Sequence, residues 1–148
     1  TMALLPRWVR GATRSALHAA TSTWVAMPLN VQAMQAGAQH LIGEHDFSAF
    51  RAAECQSRSP IRRVDSLVVR REGPLVYFDI AANAFLHHMV RNIAGLLMAV
   101  GRGDREAHEV ATLLTSRDRR LNAPTAPAEG LCLRRIDYPS AFALPDPV

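Results

Sequence analysis

Between positions 67 and 100 the apolar residues change period, and that change limits the architectures open to the chain. Leu67-Val68-Val69 and Leu75-Val76-Tyr77-Phe78-Asp79-Ile80 are rich in β-forming residues and are separated by Arg70-Arg71-Glu72-Gly73-Pro74. The Gly-Pro pair marks a turn, so the two runs are expected to pair as an antiparallel hairpin. Directly after them Phe85, Met89, Ile93, Leu96, Leu97 and Val100 recur at helical spacing, which predicts a helix over 85 to 100, ended by Gly101 and Gly103.

The flanks extend this pattern. Val31, Met34, Ala38, Leu41 and Ile42 predict a helix over 30 to 42, with Asn30 as cap and Gly43 as stop. Residues 44 to 51, pinned by Phe47 and Phe50, and the turn-forming Ser57-Arg58-Ser59-Pro60 read as an ordered loop. Ala107, Val110, Ala111 and Leu114 predict a short third helix, and a Pro-containing loop leads to a last strand over 131 to 138, beyond which Pro139, Pro145 and Pro147 preclude regular structure. The expected fold class is α+β, a predominantly antiparallel sheet with helices packed on one face. One domain is expected over 24 to 148. Residues 1 to 23 are poorly assigned: with Arg7, Arg10 and Arg14 and no acid before Glu44 they have the composition of a transit peptide, but an Arg-bearing linker, strand or remnant of a larger protein is the preferred reading.

A content of 49% hydrophobic and 20% charged residues excludes a disordered tail or a coiled coil. All 17 basic residues are arginine, against 13 acids, for a net charge of +4. A GC-rich genome accounts for the residue type; an anionic polymer as partner is compatible with it, because guanidinium binds phosphate bidentately and stacks on bases. Cys55 and Cys132 form neither a zinc pattern nor a disulfide framework, and His87 and His88 would point about 100° apart on a helix, so no metal site is expected. No segment approaches the roughly 18 apolar residues of a membrane span, and a soluble, cytoplasmic protein is expected.

Two places can carry chemistry. Arg91 lies mid-helix, with His87 one turn earlier, and no acid occurs between Phe85 and Val100. Its partner is therefore Asp46, Asp79 or Asp118, solvent, another chain, or a ligand anion. Residues 51 to 71 hold six arginines, Arg58, Arg62 and Arg63 among them, against two acids. That stretch is either a solvated face or a path for a nucleic-acid backbone. P-loop, GxSxG and GxGxxG signatures are absent.

Four strings are more specific: Gly-Glu-His-Asp-Phe-Ser-Ala-Phe-Arg-Ala (43 to 52), Cys-Gln-Ser-Arg-Ser-Pro (55 to 60), Asn-Ala-Phe-Leu-His-His-Met-Val-Arg-Asn-Ile-Ala-Gly (83 to 95) and Ala-Pro-Ala-Glu-Gly-Leu-Cys-Leu (126 to 133). In order and spacing they resemble the tRNA pseudouridine synthase A family, over about 24 to 138. The resemblance implies an isomerase that converts uridine to pseudouridine in the anticodon stem-loop of tRNA, a homodimer using no metal or organic cofactor. Such an enzyme breaks the glycosidic bond, turns the uracil and rejoins it through carbon, which needs the base out of its stack.

The family's indispensable aspartate sits in an Arg-Thr-Asp type motif of its N-terminal half, and no Arg-Thr-Asp occurs here. The family's substrate-stacking tyrosine has no counterpart either. The resemblance therefore implies the C-terminal half of a synthase, inactive alone and completed by an N-terminal half. By the same resemblance Arg91 matches the basic residue that pairs with the catalytic aspartate, and Leu131 and Leu133 match the apolar wall for the uracil. Cys132 stands where the family has Tyr; strand alternation would point it away from the leucines. Phe47, Phe50, Arg51, His87, His88 and Asn92 are expected to face the substrate cleft, although core packing is an equal alternative for the two phenylalanines. Other readings are a non-catalytic RNA-binding module, a degenerate paralogue, and a structural dimerisation fragment.

Overall fold

The structure, a computed structural model, describes residues 2–4, 7–10 and 21–138, the first two segments as backbone. The expectation for Pro139, Pro145 and Pro147 lies outside the described residues. The elements are β1 (Met2–Leu4), β2 (Arg7–Arg10), β3 (Thr23–Val25), α1 (Val31–Gln39), β4 (Gly43–Asp46), β5 (Ile61–Glu72), β6 (Leu75–Ala82), α2 (Met89–Arg102), α3 (Glu109–Ser116) and β7 (Leu133–Ile136). Among the described residues no helix is long and apolar enough to cross a membrane.

The hairpin of β5 and β6 is the centre of one sheet. Gly73, at φ 56, and the fixed φ of Pro74 give the positive-then-negative sequence of a II′ turn, with Glu72 opposite Leu75. β5 is much longer than the 67 to 69 expected, because one of its faces meets solvent and polar residues alternate with apolar ones. Its parity also slips: Val64 faces Ala82 but Ser66 faces Ala81, so Asp65 is an extra residue. The bulge puts Val64, Leu67 and Val69 on one face, with Phe78 and Ile80 of β6, and all five are buried.

β1 and β2 lie in line on the other edge of β6 in one register, Met2 opposite Ala82 and Val9 opposite Leu75. β7 pairs antiparallel with β1, and β3 runs parallel to β2, the one parallel pair among the described strands. β4 pairs with the start of β5, Gly43 opposite Val64, which corrects the loop expected over 44 to 51. Glu44, His45 and Asp46 carry no β-propensity of their own, so β5 supplies the order. The exposed edge of β5 past β4 is covered by Gln35 of α1, which donates to the Leu67 carbonyl (3.2 Å) and accepts from the Val69 amide (2.6 Å).

α1 is capped by Asn30, whose side chain accepts from the Ala33 amide, as the sequence predicts. α2 starts at Met89, four residues later than expected, because His88 is left-handed (φ 60) and breaks the turn. It also continues through Gly101 instead of ending there. A Cβ on Gly101 would lie 2.7 Å from Met34 Sδ, so that glycine lets α1 pack close, and Gly103, at φ 84, terminates the helix. Every α2 residue from Met89 to Gly101 is buried except Arg91. Each buried leucine or isoleucine there contributes about 1.5–3 kcal/mol, so α2 is the centre of the core and Arg91 its one opening toward the surface.

Candidate active site

Arg91 sits in the first turn of α2 and is half-buried. Its Nε donates to the Ala126 carbonyl at 2.8 Å, and the Ala126 amide donates back to the Arg91 carbonyl at 3.0 Å. Its Nη1 lies 3.4 Å from His88 Nε2. The three carboxylates left open as partners are all engaged elsewhere: Asp46 with Arg117 (3.3 Å), Asp79 with Arg70 (3.3 Å) and Asp118 with Arg120 (2.7 Å). Among the described residues no carboxylate lies within ion-pair distance of Arg91. One edge of the guanidinium is thus fixed by neutral acceptors, while its charge has no counter-ion among the described residues.

His88, not His87, is the neighbour of Arg91; the helical spacing expected between His87 and Arg91 fails because His87 precedes the helix. The left-handed backbone at His88 costs about 1–2 kcal/mol, offset as its carbonyl accepts the first helical bond, from the Asn92 amide at 2.9 Å. The two imidazoles lie against each other with centroids 4.0 Å apart and planes tilted by 40°. Burial, then the neighbouring His87 and Arg91, hold the His88 pKa below its ordinary value, so it stays neutral and offers Arg91 an acceptor. His87 is exposed, and its carbonyl accepts from the Ala52 amide at 3.1 Å, joining the 51–60 loop to the start of α2.

Four of the residues expected at the cleft are engaged elsewhere. Phe47 and Phe50 are fully buried and meet edge to face at 5.9 Å; they are core, since the short turn at Ser48–Phe50 directs both inward beneath α2. Asn92 is 1% exposed, with its amide donating to the Phe50 carbonyl and its carbonyl accepting from Thr125 and Arg119. Arg51 is half-buried and turns back into its own loop, donating to the carbonyls of Cys55 (2.8 Å) and Ser57 (2.6 Å). Leu133 begins β7, opposite Leu4 of β1, and is exposed. Leu131 is half-buried against the core and, like Cys132, precedes the strand, so strand alternation does not apply to them.

A family model described as tRNA pseudouridine synthase matches residues 38–139. The chain belongs to the tRNA pseudouridine synthase family. It is 58% identical over 131 residues to a tRNA pseudouridine synthase A of Methylococcus capsulatus, covering 88% of this chain and 48% of that protein. Against the tRNA pseudouridine synthase A of Paraburkholderia xenovorans it is 51% identical, with 90% and 50% covered, and against that of Bordetella avium 50%, with 93% and 51% covered. The chain spans about half the length of these curated relatives.

All the candidate residues of this chain fall inside the matched span. Its three arginines singled out for an RNA backbone differ. Arg62 donates to the carbonyls of Ser59 and Ile61 and to Ser57 Oγ, organising its own loop. Arg63 is paired with Asp65 at 2.7 Å. Arg58 is exposed and has no hydrogen bond or ion pair among the described residues. Spacing gave no sign of Arg119, Asn122 and Thr125, which with Gly95 fasten residues 122–126 to α2 and to the 48–50 turn: Asn122 donates to the Ala49 carbonyl in that turn at 2.9 Å, and a Cβ on Gly95 would stand 2.0 Å from the Pro124 carbonyl oxygen.

Proposed function

We propose that this chain is the C-terminal half of an enzyme that isomerises uridine to pseudouridine in tRNA, and that Arg91 completes its active site by pairing with a catalytic aspartate on the other half. The observation that carries this reading is the Arg91 guanidinium, aimed by Ala126 and His88 but without a carboxylate among the described residues. A guanidinium beside an aspartate keeps the carboxylate ionised and holds it through directional bonds, as a nucleophile or base requires. Leu133, exposed at the start of β7, and Leu131 supply the apolar wall for an unstacked uracil. Arg58 contributes to phosphate binding. The same reading takes the complete enzyme to be a homodimer working in the cytoplasm.

Pseudouridine is joined through C5, so turnover releases the C5 hydrogen to water. Tritium release from tRNA labelled at uridine C5 is expected to be absent with this chain alone and to appear when the N-terminal half is supplied. Salt-sensitive tRNA binding without tritium release, in the presence of both halves, would instead mark an RNA-binding module. A chain that turns over without the other half overturns the proposal.

A further inference from the structure

We infer that Thr125, Asn92 and Arg119 are positioning residues that set the Arg91 guanidinium through the Ala126 carbonyl. The inference rests on the reading of Arg91 given above and adds what holds that residue in place. Asn92 is the one polar residue buried within α2, and burying an amide is unfavourable unless it is hydrogen-bonded. Three bonds are made: Nδ2 donates to the Phe50 carbonyl at 2.7 Å, and Oδ1 accepts from Thr125 Oγ1 at 2.7 Å and Arg119 Nη2 at 3.0 Å. Arg119 in turn donates to Thr125 Oγ1 at 2.8 Å and to the Ala123 carbonyl at 3.3 Å. It has no carboxylate partner among the described residues, so its fork is spent on fastening the Ala123 carbonyl, the Thr125 hydroxyl and Asn92 together.

The result is a ladder between a helix and an extended segment: Arg91 with Ala126, Asn92 with Thr125, and Gly95 against Pro124. Ala126 is tied to the helix by its own amide bond to the Arg91 carbonyl and by a buried methyl, and the rung next to it adds the one side-chain hydrogen bond between residues 124–126 and α2, among the described residues, besides that of Arg91 itself. A purely apolar pair at 92 and 125 would pack the core but would leave the height of Ala126 on the helix to its one amide bond to the Arg91 carbonyl. Misplacing a catalytic group by about 1 Å can cost on the order of a hundredfold in rate, while binding through remote contacts survives.

The test uses the complete two-half enzyme, with tritium release and tRNA affinity measured for Thr125→Val, Thr125→Ser and Arg119→Lys, and Arg91→Ala as reference. Thr125→Val keeps shape and loses the hydroxyl; kcat is expected to fall about 10- to 100-fold with KM for tRNA unchanged within about threefold, and Thr125→Ser to restore most of it. Arg119→Lys, which keeps charge and loses the fork, should show the same split. Circular dichroism at the assay temperature reports the folded fraction of each variant. Turnover of Thr125→Val and Arg119→Lys that merely tracks the folded fraction, or a KM change that matches the kcat change, overturns the inference. Should Arg91→Ala itself turn over normally, the reading of Arg91 fails, whatever Thr125 does.

Discussion

Gly95→Ala subjects the packing of residues 122–126 on α2 to a single added methyl. A Cβ there would lie 2.0 Å from the Pro124 carbonyl oxygen and 3.2 Å from the Ala126 amide nitrogen, and both are backbone atoms. Real contacts of this kind are not shorter than 3.0 Å, so the segment must retreat by about 1 Å. That retreat strains or breaks the Ala126–Arg91 backbone bond, the Arg91–Ala126 bond and the Thr125–Asn92 bond, at 3.0, 2.8 and 2.7 Å. At about 1 kcal/mol each, the loss is about 3 kcal/mol, and the better helix propensity of alanine returns about 1. A net destabilisation of about 2 kcal/mol is therefore expected, read as a lower urea midpoint at unchanged slope. Gly101→Ala is the control. Its Cβ meets the flexible Met34 side chain at 2.7 Å, which can move, so a smaller loss is expected. An unchanged midpoint for Gly95→Ala, or one shifted less than that of Gly101→Ala, would refute the contact between Pro124 and the helix.

Other outcomes follow from the charges. Because the His88 pKa is lowered from 6.5, the stability it contributes is complete above that value and is lost as the pH falls through the lowered pKa. Protonation also removes the acceptor beside Arg91, while His87 adds repulsion and Glu54 attraction, so kcat should fall on the acid side of the pH profile; an acid limb identical in His88→Gln would count against this. Burial raises the Asp46 pKa, but the Ser48 bonds and Arg117 outweigh it and hold the carboxyl below 3.8. Asp46→Asn should cost about 1 kcal/mol at neutral pH, with the difference from wild type closing as the pH falls through the lowered pKa, checked by urea titration at several pH values. Arg58→Ala should weaken tRNA binding and reduce the slope of log affinity against log salt by about 1; an unchanged slope would remove Arg58 from the backbone contacts.

The parts of this fold that show in the sequence are those where period and turn chemistry agree. The hairpin around Gly73-Pro74 and the apolar stripe of α2 are written in neighbouring residues and need no tertiary information. β4 is not: Glu44, His45 and Asp46 become a strand only because β5 lies alongside. The start of α2 is hidden because Phe85 and Leu86 continue the apolar pattern while the left-handed backbone of His88 breaks the helix. The phenylalanines illustrate another limit, since an aromatic suits a uracil pocket and a core equally, and only the path of the turn at 48–50 decides that Phe47 and Phe50 are core. The isolation of Arg91 is legible, because its helix lacks an acid; that Asp46, Asp79 and Asp118 are each taken by another arginine is not. Nor does spacing join Asn92 to Thr125, 33 positions away.

The central claim, that Arg91 serves a carboxylate of the other half, is tested most directly by the rate of tritium release from C5-labelled tRNA by the two-half enzyme carrying Arg91→Ala. Loss of an ion pair at the reacting centre removes about 3–5 kcal/mol, so a fall in kcat of roughly a hundredfold or more is expected, with tRNA affinity nearly unchanged. A kcat within about twofold of wild type, in a variant that folds and binds tRNA normally, would contradict the account.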